Sequence, residues 1–126
     1  MNEHERAFVE SFLYARRRER FLEALTNPKK RRVFLNEFCH PKWSSFVLTR
    51  YATPVAPSEN IEVRLRLMGA PDRCYVMGWK IDGWDLSLDE ALKEMAGSRM
   101  GVVISCIPGK LAYLESEDGR WILHKS

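Results

Sequence analysis

Two turn dipeptides, Pro108-Gly109 and Asp118-Gly119, cut the last part of the chain into three short β-prone runs, 101–107, 110–116 and 120–125. Such turns join neighbouring antiparallel strands, so this region can hardly fold as anything but a meander. The turns also set register. With a first turn at 107–110 and an even-length second turn, Cys106, Leu111, Tyr113 and His124 fall on one face.

The preceding stretch extends the pattern. Cys74-Tyr75-Val76-Met77 reads as a further strand. Ser87 and Glu90 have the spacing of a capping box, which opens a helix running through Met95 and ending at Gly97. Residues 72–126 therefore read as β-α-β-β-β, with about four strands.

The first forty residues carry helical periodicity instead. Phe8, Phe12 and Ala15, widened by Val9 and Leu13, form one apolar stripe, and Phe21, Leu22 and Leu25 continue it. Asn27 caps a second helix with Pro28 in its first position, and Val33, Phe34, Leu35 and Phe38 are its buried side. The expectation is a helical hairpin over 3–39. Prolines at 41, 54 and 57 break up the next segment, where Phe46-Val47-Leu48 is a short strand or a packed loop. Residues 59–68 fit both periods. Ile61, Val63, Leu65 and Leu67 alternate like a strand, yet Ser58 offers a cap, Glu62 and Arg66 are an i,i+4 pair, and Gly69 is a stop. Helix is the preferred reading.

A chain of 126 residues is one domain's worth. The fold class expected is α+β: a helical N-terminal layer packed with a small, mostly antiparallel sheet and one or two further helices. The N-terminus lacks the apolar run of a signal peptide, and Val102–Ile107 is far short of a membrane span. Three cysteines without a CxxC pair suit reduced thiols, so a cytoplasmic, membrane-free protein is expected.

Catalytic and metal chemistry find little support. Cys106 and His124 share a face but lie two strands apart, on the order of 10 Å, beyond nucleophile–base reach. Cys106 instead reads as a core residue among Val102, Ile104, Leu111, Tyr113 and Ile122. Cys39-His40 lacks paired ligand spacing and would need Cys74, Cys106 and His124 to converge from afar. No phosphate loop, dinucleotide fingerprint, HExxH or GxSxG occurs. Neither a cofactor nor a metal is expected. Asp82, Asp85, Asp89 and Glu90 cluster, but turn and helix-start chemistry explains most of that.

Charge is uneven. Residues 1–32 hold nine Lys/Arg and five Glu, while 33–126 hold eleven Lys/Arg and twelve Asp/Glu. Lys29, Lys30, Arg31 and Arg32 open the second helix, where the macrodipole disfavours cations and anions bind well. Arg16, Arg17, Arg18 and Arg20 lie across the hairpin and can extend the patch. At about 100° per residue, Arg16, Arg17 and Arg18 cannot all face one ligand, and Glu19 and Glu23 can neutralise part of the run. Trp84 stands between strand and helix, the tryptophan best placed for exposure, whereas Trp43 and Trp121 suit the core.

Two functions follow. One is a non-catalytic adaptor or inhibitor using Arg16, Arg17, Arg20, Lys29, Lys30, Arg31, Arg32 and Trp84 to engage an acidic protein or a nucleic-acid backbone. The other is a small enzyme acting on a phosphate-bearing substrate with Asp82 or Asp85. Self-pairing of a sheet edge into a homo-oligomer is a third option.

Overall fold

The computed structural model describes residues 2–37 and 41–126. Among them are five α-helices: α1 (Glu3–Phe12), α2 (Ala15–Leu25), α3 (Pro28–Glu37), α4 (Ile61–Leu67) and α5 (Leu88–Met95). Six strands complete the fold: β1 (Ala52–Pro54), β2 (Arg73–Gly78), β3 (Trp84–Ser87), β4 (Val102–Ile107), β5 (Leu111–Ser116) and β6 (Gly119–His124). They form one open sheet in the order β1-β6-β5-β4-β2-β3, antiparallel throughout. The class is α+β, with six strands where about four were expected.

Strand alternation divides the core in two. Tyr75, Met77, Val103, Ala112, Leu114 and Leu123 point to one face, where they pack with Phe8, Val9, Phe12, Phe21 and Phe34 of the N-terminal helices. Cys74, Val76, Ile104, Leu111, Tyr113 and Ile122 point to the other, beneath Leu65 of α4 and Leu88, Leu92 and Met95 of α5. The sheet is thus a middle layer, and both its faces are buried.

The expected hairpin over 3–39 is three helices rather than two. α1 stops because residues 46–48 compete for its backbone: Tyr14 N–H donates to Phe46 O (2.9 Å), and Leu48 N–H donates to Phe12 O (2.7 Å). Leu13 and Val47 form an isolated antiparallel bridge there. The Nε of Arg18 then donates to the Leu13 carbonyl at 3.1 Å, satisfying a group the broken helix leaves over. Asn27 caps α3 as expected, its Oδ1 accepting from the N–H groups of Lys29 (3.1 Å) and Lys30 (3.2 Å). Val33 is a correction: it is 64% exposed, not on the buried side, which consists of Phe34 and Leu35. Phe38, like Cys39 and His40, lies outside the described residues.

Residues 61–67 are helical, with Asn60 rather than Ser58 as cap. Ser87 Oγ accepts from Glu90 N–H (3.1 Å) at the start of α5. The β5–β6 hairpin has the anticipated register, Leu111 opposite His124 and Tyr113 opposite Ile122, but in β4–β5 it is Ile107 rather than Cys106 that stands opposite Leu111. Its second turn is Glu117-Asp118, with Gly119 already paired in β6. Cys106 is an added residue in β4, at a register shift between Ser105 and Ile107. Gly109 (φ 71°) brings the β4–β5 turn against α1, so that a Cβ would lie 2.6 Å from Ser11 Oγ.

Candidate functional site: a basic-rimmed groove and the ionic anchor behind it

α2 and α3 pack side by side and leave a groove of about 460 Å³ between them. Its floor is apolar: Phe21 and Ala24 from α2, Phe34 from α3, and Phe46 from the segment beyond. The three rings interlock, with centroids 4.5 Å (Phe21–Phe34) and 5.1 Å (Phe21–Phe46) apart. Val33 stands on the wall as an exposed apolar side chain. Arg17, Arg20 and Lys30 supply cations around this floor, with Glu23 and Glu37 as the acids. The Lys30–Glu23 bridge (3.4 Å) spans the two helices, but both side chains are well exposed. Such a pair contributes little and yields readily to a competing anion.

The basic residues singled out by sequence thus separate into groups. Arg17, Arg20 and Lys30 meet at the groove. Arg16 folds over the Tyr14 ring (5.7 Å), and Lys29 is exposed at the start of α3. Arg32 leaves the groove and lies over the Trp79 ring (5.1 Å). Arg31 turns inward. Its Nη2 donates to Glu5 Oε2 (2.6 Å), and its guanidinium takes Asp82 on the loop after β2. A position that looked unfavourable by helix electrostatics therefore has a tertiary reason. Arg31 anchors α3, the outer wall of the groove, to α1 and to the sheet. Its bonds to Asp82 and Glu5 outweigh burial and raise its pKa, so the charge is fixed.

Glu5 is buried and also accepts from the Tyr75 hydroxyl (2.6 Å). Burial, with that bond, pushes the Tyr75 phenol well above its usual range. Beside it the register aligns Ser105, Tyr75 and Asp85 in one row across β4, β2 and β3. His4 lies over this row, stacked on Tyr75 (centroids 5.6 Å, planes 12° apart), with Nδ1 at 2.7 Å from Ser105 Oγ. Burial lowers the His4 pKa, while the charges of Asp85 and Glu3 oppose that shift.

Sequence reasoning missed this Ser–His–Asp neighbourhood. Its members stand at positions 4, 85 and 105, and no local motif links them. Hydrophobic periodicity could have shown that Ser105 shares a strand face with Val103, but not what lies above it. The geometry does not make a nucleophile. Ser105 is 1% exposed, closed over by α1, so its oxygen has no route to a substrate. Asp82 is likewise engaged, both its oxygens facing Arg31.

Trp84 is 63% exposed, although it begins edge strand β3 rather than lying in a loop. It faces α5, apart from the groove. Trp43 is buried, and its ring meets that of the half-buried Trp121 at 4.5 Å. Cys74 and Cys106 are both buried, and burial pushes their thiols up to about 11 and about 12. Among the described residues no group of three or more His, Cys, Asp or Glu could hold a metal ion, and no helix is long and apolar enough to cross a membrane. Compared with protein-family models, curated proteins and solved structures, the chain matches none.

Proposed function

We propose that this chain is a non-catalytic binding module whose α2–α3 groove captures an acidic, apolar segment of another protein. The observation that carries the reading is the pairing of exposed Val33 and a phenylalanine floor with the cations Arg17, Arg20 and Lys30. Apolar side chains of a partner would cover the floor, and its carboxylates would meet the rim. Charge beyond the groove favours the same partner. α2 and α3 together carry Arg16, Arg17, Arg18, Arg20, Lys29, Lys30 and Arg32 toward or near solvent, against Glu19, Glu23 and Glu37.

A nucleic acid fits this surface less well. Single strands bind through exposed aromatic faces over a basic track, and Phe21, Phe34 and Phe46 expose only 8%, 2% and 2% of their surface on the groove floor, too little for bases to stack on. An enzyme acting through Asp82 fits less well too, because Arg31 already holds that carboxylate.

The test is to pan a random peptide-display library on the immobilised full chain and measure the enriched peptides by fluorescence polarisation. The expected peptides combine Asp or Glu with Leu, Ile or Phe. Their affinity should fall roughly tenfold or more in Val33→Glu and in the Arg17→Glu, Arg20→Glu pair, and hold in Trp84→Ala. Enriched peptides that bind these variants as well as the original chain would overturn the reading. So would a library that yields nothing while oligo-uridylate binds with a steep salt dependence.

A further inference from the structure

We propose that strand β3, an outer edge of the sheet, receives an extended, arginine-bearing segment of another protein, whose cationic side chains lie across Trp84 toward Glu90 and Glu94. The order β1-β6-β5-β4-β2-β3 leaves two edges. β1 is three residues long and ends at Pro54, which has no N–H to offer. β3 is the edge open to strand addition.

The bonds of β3 fix which of its groups face outward. Leu88 N–H donates to Asp72 O (2.8 Å), which carries the β2–β3 register one residue beyond Arg73 and Ser87. Ladder bonds fall on every second pair, so Trp84 and Leu86 bond to β2 while the backbone groups of Asp85 and Ser87 point away from it. The Arg73 guanidinium already donates to Asp85 O (3.1 Å). Ser87 is the N-cap of α5, so its carbonyl belongs to the first helical turn. The N–H groups of Asp85 and Ser87 remain, two residues apart, spaced to meet alternate carbonyls of an extended chain.

Beside this edge, on the α5 face, lies a cavity of about 450 Å³. Trp84, Ile81 and Leu86 give it apolar surface, and Glu90 and Glu94 of α5 give it carboxylates. Neither glutamate makes an ion pair among the described residues, and one turn apart they repel each other. Lys93 turns to Asp89 (3.7 Å) and Asp82 is held by Arg31, which leaves Lys80 as the cation opposing the two glutamates. Residues 82–95 as a whole hold five acids and one lysine, in a chain whose net charge is +3. A guanidinium laid on the Trp84 ring within reach of two carboxylates gains from both. The same acids disfavour a second copy of the chain as the occupant. Pairing β3 with its counterpart would bring both sets of acids together, and centred on Asp85 it would set that carboxylate against its twin.

The probes are two capped peptides, Thr-Arg-Val-Arg-Thr and Thr-Glu-Val-Glu-Thr, in which alternation puts both charges on one face of an extended chain. Each is titrated into the full chain and followed by its assigned amide and indole spectrum. The arginine peptide should give saturable shifts at Asp85, Ser87 and the Trp84 indole, with a Kd of roughly 0.1–1 mM, too weak for a display library to retain. It should also slow hydrogen exchange at the N–H groups of Asp85 and Ser87, which attraction by charge alone would not do. Trp84→Ala and the Glu90→Gln, Glu94→Gln pair alter exposed side chains, and each should weaken this peptide roughly tenfold. Acidic peptides held in the α2–α3 groove should bind these variants as before. The proposal fails if the arginine peptide shifts nothing at roughly 5 mM, or if the glutamate peptide shifts the same amides as strongly. It fails equally if either variant binds like the original chain, or if exchange at Asp85 and Ser87 is unchanged. Shifts of these amides on dilution of the chain alone would give the edge to a second copy and overturn it too.

Discussion

The guanidinium of Arg31 holds both carboxylate oxygens of Asp82, Nε to Oδ2 at 2.6 Å and Nη2 to Oδ1 at 2.7 Å. The same Nη2 reaches Glu5, so one cation neutralises two acids from different parts of the chain. The partners differ in exposure: the Glu5 side chain is 6% exposed and that of Asp82 29%. Losing the arginine should therefore cost far more than losing the outer acid. Arg31→Ala strands a buried carboxylate and is expected to destabilise by about 3–5 kcal/mol. Asp82→Asn leaves Arg31 with Glu5 and should cost only about 1–2 kcal/mol. Urea unfolding of both variants checks the ranking, and equal losses would mean that Glu5 does not depend on Arg31.

The contact of Gly109 with α1 makes a second prediction. A methyl group there would lie 2.6 Å from Ser11 Oγ and 3.4 Å from Ala7 Cβ, in a backbone conformation (φ 71°) that favours glycine. Gly109→Ala should lose about 2–3 kcal/mol, part from φ and part from overlap. Adding Ser11→Ala removes the overlapping oxygen but not the backbone strain, so it should recover part of the loss and not all. Full recovery, or none, in the unfolding midpoint would show that only one of the two causes operates.

What could be read ahead of the structure was whatever neighbouring residues decide. Asn27-Pro28, Ser87 with Glu90, and the two turns of the meander each act within a few residues, and each placed its helix or strand. What was missed depends on distant chain. Nothing at Leu13-Tyr14 breaks a helix until residues 46–48 pair with it. Trp84–Ser87 alternates apolar and polar over only four residues, too short a run to mark a strand by itself, and is held as one by β2. β1 is three residues ending in proline and exists through β6. For the groove, the sequence showed the cations but placed Val33 on the wrong side. It could not separate Arg31, drawn inward by acids 26 and 51 positions away, from Lys30 beside it.

His4 links stability to pH. Its folded-state pKa is below the unfolded value, because burial disfavours the imidazolium more than Asp85 and Glu3 favour it. The unfolded chain then binds the proton more readily. Stability contributed by neutral His4 is present above about pH 6.5 and is lost as pH falls from there toward the folded pKa, below which it levels off. Melting temperatures between pH 8 and 5 should show this decline, and His4→Gln, which keeps a side-chain partner for Ser105 without titrating, should flatten it. A slope unchanged in His4→Gln would assign the titration to another group.

Cys74 and Cys106 lie on the α5 face of the sheet with their thiols pushed up to about 11 and about 12 by burial. At pH 8 almost none of either is thiolate, and neither sulfur meets solvent, so both conditions for alkylation are missing. Iodoacetamide applied to the folded chain should leave the peptides containing these two residues unmodified by mass spectrometry. Denaturant should make both react at the rate of an ordinary thiol. Since they belong to one apolar cluster, their protection should disappear together at the unfolding midpoint. Early labelling of Cys74 alone would show that β2 and β3 open before the meander does.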